Sequence, residues 1–240
     1  MVQVNDKKKL VSSNSDVSSF LAKVARTPVI TSANKPGRLV FALDATLSRS
    51  PTWDTASQLQ AQMFSETADI GGLEIQLCYY RGFNEFYASQ WHRNTAALLR
   101  DMTGVRCLGG HTQIARVLRH GLAESRSERI QALVFVGDAM EEKADDLCNL
   151  AGQLGVMNIP VFIFQEGGDA KVEQTFRQIS RLSGGAYAPF DLNSAHQLKE
   201  LLGAVAVYAA GGRPALENFS RKKGSDVKLL TQQLTQQRKG

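Results

Sequence analysis

RLVFALDATLSRSPTW, Arg38 to Trp53, is the stretch whose reading decides the fold. An apolar run, Leu39 to Leu43, ends abruptly in Asp44, and the carboxylate is followed by hydroxyls at Thr46 and Ser48. A run apolar at every position, rather than at alternate ones, predicts a central parallel strand buried on both faces. Ser50 reads as an N-cap and Pro51 as a first helical residue, so the polar loop is pinned between a strand end and a helix start. That is where open α/β sheets bind ligands. A carboxylate and two alcohols at alternate positions are hard oxygen donors, suited to a cation such as Mg²⁺ that takes few protein ligands and keeps several waters. Asp44-x-Thr46-x-Ser48 is therefore a metal-site hypothesis.

Working outward, a helix is expected from about Pro51 to Ala68, with Trp53, Leu59, Met63 and Phe64 on its buried face. Leu73 to Arg81 alternates as a half-buried strand, Gly82 to Asn84 turns, and Glu85 to Trp91 returns, an antiparallel hairpin at a sheet edge. Asn94 to Met102 reads as a short helix. Cys107 to Thr112 forms a Gly-rich loop feeding an amphipathic helix, Gln113 to Glu124, with Thr112 at its start. Ile130 to Val136 is a second buried strand and, like the first, it terminates in an acid, Asp138. Glu141 and Glu142 are expected to open the next helix, which runs to about Gly155. A third buried strand, Ile159 to Phe164, a helix, Lys171 to Leu182, a short strand, Ala186 to Phe190, and a last helix, Ala195 to Ala209, follow. Strands alternating with helices predict an α/β fold with a doubly wound, mainly parallel, Rossmann-like sheet, helices on both faces and an antiparallel edge hairpin.

At 240 residues, 43% of them hydrophobic and 21% charged, the chain is long enough to bury a sizeable core. Its formal charge of +5 is unevenly spread. Residues 1–37 hold six basic and two acidic side chains and residues 211–240 hold seven and two, so residues 38–210 carry a net −4. This divides the chain into a basic N-terminal segment with a short helix (1–37), a central domain (38–210) and a basic C-terminal tail (211–240). Basic tails can meet nucleic acid, anionic lipid or an acidic protein face. RNA or ribonucleoprotein association is therefore an alternative, though the central domain has no basic stripe interleaved with aromatics. Three scattered cysteines, Cys78, Cys107 and Cys148, point to a reducing compartment, and no stretch approaches the roughly 18 consecutive apolar residues of a membrane span. The expectation is a cytoplasmic protein without a membrane partner.

Asp44-x-Thr46-x-Ser48, then Thr112 before a helix, then Asp138 after a hydrophobic strand, resembles in order and setting the von Willebrand factor A (vWA) domain. The likeness covers about residues 38 to 210 and is that of a bacterial-type stand-alone cytoplasmic protein. The pattern of that family's metal ion-dependent adhesion site (MIDAS) is D-x-S-x-S, a threonine in a Gly-rich loop and an aspartate at a strand end. Here Thr46 replaces the usual first serine, and Asp138 is flanked by Gly137 and Ala139 where the family often has Thr and Gly. The resemblance implies that Thr46 and Ser48 ligate Mg²⁺ or Mn²⁺ directly, that Thr112 joins directly or through water, and that Asp44 and Asp138 act largely through water. It further implies a protein partner whose Asp or Glu completes the metal's octahedron, an adaptor role, and coupling to movement of the last helix. An enzyme is not expected. A haloacid dehalogenase-like phosphohydrolase would need an acid where Thr46 stands, and no GxSxG, P-loop or HExxH occurs.

Overall fold

All eight residues of the first strand, β1 (Gly37–Asp44), are buried. Alternation divides them between two cores. Leu39, Phe41 and Leu43 enter one hydrophobic cluster, and Val40 and Ala42 enter the other on the opposite face. Such two-sided burial is what a continuous apolar run requires. The computed structural model describes residues 35–50, 72–190 and 195–222, together with residues 19, 22–24 and 53. The helix expected over Pro51 to Ala68 and the outer parts of both basic tails lie outside the described residues.

After β1 come a single 3₁₀ turn, Leu47–Arg49, then β2 (Leu73–Arg81), β3 (Glu85–His92) and α1 (Thr95–Thr103). Next are α2 (Ile114–Ser127), β4 (Ala132–Gly137), α3 (Ala144–Val156), β5 (Val161–Glu166), α4 (Ala170–Ser183), β6 (Tyr187–Phe190) and α5 (Ala195–Lys222). The strands form one sheet in the order β3-β2-β1-β4-β5-β6, parallel throughout except for the β2–β3 edge hairpin. Helices α2, α3 and α4 cover one face, while α1 and α5 lie on the other. The α/β doubly wound sheet expected from the sequence is the one observed.

Strand order reverses between β1 and β4, the topological switch point at whose carboxyl edge such sheets bind ligands. Asp44 is the last residue of β1, and Leu43 pairs with Val136 of β4, so Asp138 leaves the sheet beside it. The sheet itself therefore brings the two acids to one edge.

Three local expectations differ. Ser50 is not an N-cap: it has helical φ/ψ and directly follows the 3₁₀ turn, whose own N-cap is Thr46, in extended conformation. Glu141 and Glu142 do not open a helix, because α3 begins at Ala144 behind Lys143. Nor does helical structure stop at Gly211-Gly212. Gly212 breaks the helix geometry with φ 68°, and a second helical segment containing Pro214 continues to Lys222. Leu216 of that segment is buried in the core, with Ala215 and Phe219 packed against it. A glycine at positive φ followed closely by proline is a restart signal as much as a stop signal. Among the described residues, no helix is long and apolar enough to cross a membrane.

Candidate metal centre

Asp44 closes the Val40-Ala42 row of β1 and is 1% exposed. Its Oδ1 accepts the backbone N–H of Thr46 at 2.7 Å, and its Oδ2 accepts the hydroxyl of Tyr80 at 2.9 Å. Tyr80 is the register partner of Asp44 on β2, so strand pairing delivers this donor. Burial raises the Asp44 carboxyl above its usual range; the bonds from Thr46 and Tyr80 oppose that, and the nearby Asp138 charge adds to it. Burial, with the Asp44 charge second, likewise holds the Tyr80 phenol well above its ordinary value, so Tyr80 remains a proton donor.

The Thr46 side chain makes no capping bond to the 3₁₀ turn it precedes. Its hydroxyl instead stands 3.4 Å from that of Ser48, two oxygens side by side, one buried and one exposed. Asp138 is half-buried, and its Oδ1 is a buried atom without a hydrogen-bond partner. Gly137 keeps this point open: a Cβ there would collide with the Phe135 ring and stand 3.7 Å from the Asp44 Cβ.

Thr112 lies just ahead of α2. The loop that carries it is fastened to the site by two backbone bonds, Leu108 N–H to the Ala45 carbonyl (3.1 Å) and His111 N–H to the Gly82 carbonyl (3.2 Å). The second approach needs Gly110, where a side chain would overlap the Gly82 carbonyl. Thr112 is bound into the loop after β4. Its hydroxyl donates to Glu142 (2.5 Å) and accepts from the Glu141 N–H (2.9 Å), and its own N–H donates to Glu141 (2.9 Å). Glu142 also accepts the Ala115 N–H at 3.2 Å, capping α2 from outside the helix. Exposed His111 has its Nδ1 3.0 Å from Glu141 and its ring edge-on to Phe83.

The structure thus places Asp44, Thr46, Ser48 and Asp138 at one sheet edge and ties Thr112 to the Asp138 loop through Glu141 and Glu142. The donor chemistry suits a hard divalent cation: two adjacent hydroxyls, two mutually repelling carboxylates and one carboxylate oxygen left without a hydrogen. Among the described residues no group of three His, Cys, Asp or Glu is placed to hold a metal, so any ion here would rest on the hydroxyls as well.

Sequence reasoning overlooked four participants. Tyr80 is legible in retrospect, since the β2 alternation puts it in the row of Cys78, against β1. Glu141 and Glu142 resemble helix openers because acids favour a first turn. Arg49 carries no signal of its own in the sequence. It is 1% exposed, its guanidinium pairs with Glu166 at the end of β5, and the charges of Asp138 and Asp44 act on it. An arginine between a serine and a helix start looks like a surface residue; the acids that draw it inward come from other strands.

A doubly wound sheet of this order, with hydroxyls and paired acids at its switch point, defines the class: the chain has the vWA fold. Several solved structures share it. The VWA domain of SpRpn10 superposes with a TM-score of 0.53 at 13% identity, over 74% of this chain and 97% of that one. Proximal thread matrix protein 1 from the mussel byssus, solved with a zinc-occupied MIDAS motif, gives 0.55 at 12% identity, over 75% of this chain and 48% of that one. The pilus adhesin SpaC from Lactobacillus rhamnosus GG gives 0.60 at 12% identity over 80% of this chain, which spans only 31% of the adhesin. At these identities the likeness is one of fold. The sequence itself matches no protein-family model and no curated protein.

Proposed function

We propose that the chain is a metal-dependent protein-binding module, an adaptor that takes an Asp or Glu of a partner protein at the Asp44–Asp138 edge. The carrying observation is the Asp138 Oδ1, buried and without a hydrogen-bond partner at the same sheet edge as the paired Thr46 and Ser48 hydroxyls. A buried carboxylate oxygen in that state costs stability unless a cation or proton satisfies it. Thr46, Ser48 and Asp138 would hold Mg²⁺ or Mn²⁺, with Asp44 and Thr112 supporting it. When bound, the ion supplies an electrophilic position for an incoming carboxylate.

The chain's own residues prepare that position. Tyr80 and the Thr46 N–H fix the Asp44 carboxylate, the 3₁₀ turn presents Ser48 outward, and Glu142 anchors Thr112. The metal-bearing vWA neighbour supports a divalent ion on this fold without specifying which. A binding role, rather than phosphoester hydrolysis, is supported by Asp44 being almost wholly enclosed and already bonded on both oxygens, a poor situation for a nucleophile. Three scattered cysteines, Cys78, Cys107 and Cys148, fit the reducing cytoplasm as its place of action.

The test is calorimetric titration of MgCl₂ and MnCl₂ into chelator-stripped protein, with Asp44→Ala as control, followed by metal-dependent capture of acidic peptides. Saturable binding in the wild type alone is expected. Heat signals that survive Asp44→Ala would remove the site from consideration.

A further inference from the structure

Three adjacent parallel strands end in an acid at the same edge. Asp44 closes β1, Asp138 follows β4, and Glu166 closes β5, with Gly137 in register with Gln165 so that Asp138 and Glu166 step off the sheet together. Arg49 lies among them. The 3₁₀ turn that carries Ser48 leaves its side chain exposed and turns the next one inward, where the guanidinium pairs with Glu166 and feels the charge of Asp138 first and Asp44 second. An arginine 1% exposed is seldom found without acids around it. Three carboxylates against one guanidinium leave a formal charge of −2, the charge a single divalent ion neutralises.

We propose that Arg49 is the resident counter-cation of this edge, and that its ion pair with Glu166 decides how much of the aspartates' charge is left for a metal. The proposal rests on the metal reading given above. With Glu166 engaging the guanidinium, Asp44 and Asp138 are available to a divalent ion. Without Glu166, the guanidinium falls back on the aspartates and competes with the metal for the same oxygens. Two cations a few ångströms apart in a poorly solvated site repel strongly, so each change acts directly on metal affinity. Glu166 belongs to β5 and leads into the Gly167-Gly168 loop and the Asp169-capped α4, so the pair also links metal occupancy to that segment.

The experiment titrates MgCl₂ and MnCl₂ calorimetrically into full-length, chelator-stripped wild type, Arg49→Met, Glu166→Gln and the double variant. Thermal unfolding in chelator and in excess Mg²⁺ is the second readout. Arg49→Met is expected to bind at least about tenfold tighter and Glu166→Gln at least about tenfold weaker, while the double variant stays tighter than wild type, because without the guanidinium the loss of Glu166 releases nothing onto the aspartates. Arg49→Met should also melt lower than wild type in chelator and regain most of the loss in Mg²⁺. Equal or weaker binding by Arg49→Met overturns the proposal, and so does unchanged binding by Glu166→Gln, which decides the matter alone if Arg49→Met fails to fold. Wild type and Arg49→Met binding equally well would leave the metal reading standing and remove this one. Binding by Arg49→Met but not by wild type would overturn both readings, since the guanidinium would then hold the aspartates even with Glu166 in place. Silence from both proteins refutes both readings.

Discussion

Tyr80→Phe removes one oxygen from a fully buried ring and leaves the packing of that ring against Phe135 intact. The lost atom is the donor to Asp44 Oδ2 at 2.9 Å, so the carboxylate keeps the Thr46 N–H but has an unsatisfied oxygen in an enclosed site. A hydrogen bond to a charged group contributes about 1.5–3 kcal/mol. At roughly 2–4 °C per kcal/mol for a domain of this size, the melting temperature in chelator should fall by about 3–12 °C. The loss depends on pH in a definite direction. Because burial raises the Asp44 pKa in the folded state, Asp44 takes up a proton in the fold before it would in the unfolded chain as the pH falls. A neutral carboxyl loses less when its donor disappears, about 0.5–1.5 kcal/mol. The gap between wild type and variant must therefore narrow from neutral pH toward the carboxylate range. Differential scanning fluorimetry across that range measures it. A melting temperature within a degree of wild type at neutral pH, or a gap that widens on acidification, would refute the assignment of Tyr80 as the carboxylate's support.

Asp138→Asn removes a buried carboxylate oxygen and one of the site's charges and should weaken Mg²⁺ binding by calorimetry. Gly110→Ala drives a methyl group into the Gly82 carbonyl and should cost on the order of 1–3 kcal/mol in urea unfolding, displacing the loop that carries Thr112. His120 is lowered by burial, with Glu124 opposing, so the fold holds it neutral. The resulting stability is complete above its ordinary value of about 6.5 and is lost as pH falls through the lowered one; His120→Gln should flatten that part of the melting-temperature profile. Burial pushes the Cys78 thiol up strongly, so Cys78 should resist a disulfide reagent until unfolding while the partly exposed Cys107 reacts in the native protein.

The fold was legible because two signals agree along the chain: apolar runs that end in acids, and amphipathic helices of regular length between them. Leu39 to Asp44 and Ala132 to Asp138 each announce a buried strand and a functional edge at once. What escaped notice depends on pairings between distant segments. Nothing local distinguishes Arg49 from a surface arginine, because the acid that draws it inward lies on β5. Glu141 and Glu142 have the composition of a first helical turn; their partner, Thr112, reaches them only after α2 has packed. Gly211-Gly212 looks like an ending because the burial of Leu216 beyond it is a property of the assembled sheet.

That late burial bears on the order of synthesis. The sheet face covered by α1 and α5 takes Leu202, Tyr208 and Leu216 from the end of the described chain, whereas α2, α3 and α4 close the opposite face from segments made earlier. A nascent chain on the ribosome can therefore finish covering one side of its sheet before the other. Until residues 202–216 have left the exit tunnel, Phe41 and Phe162 lack part of their cover. This interval makes the growing polypeptide a candidate for chaperone attention.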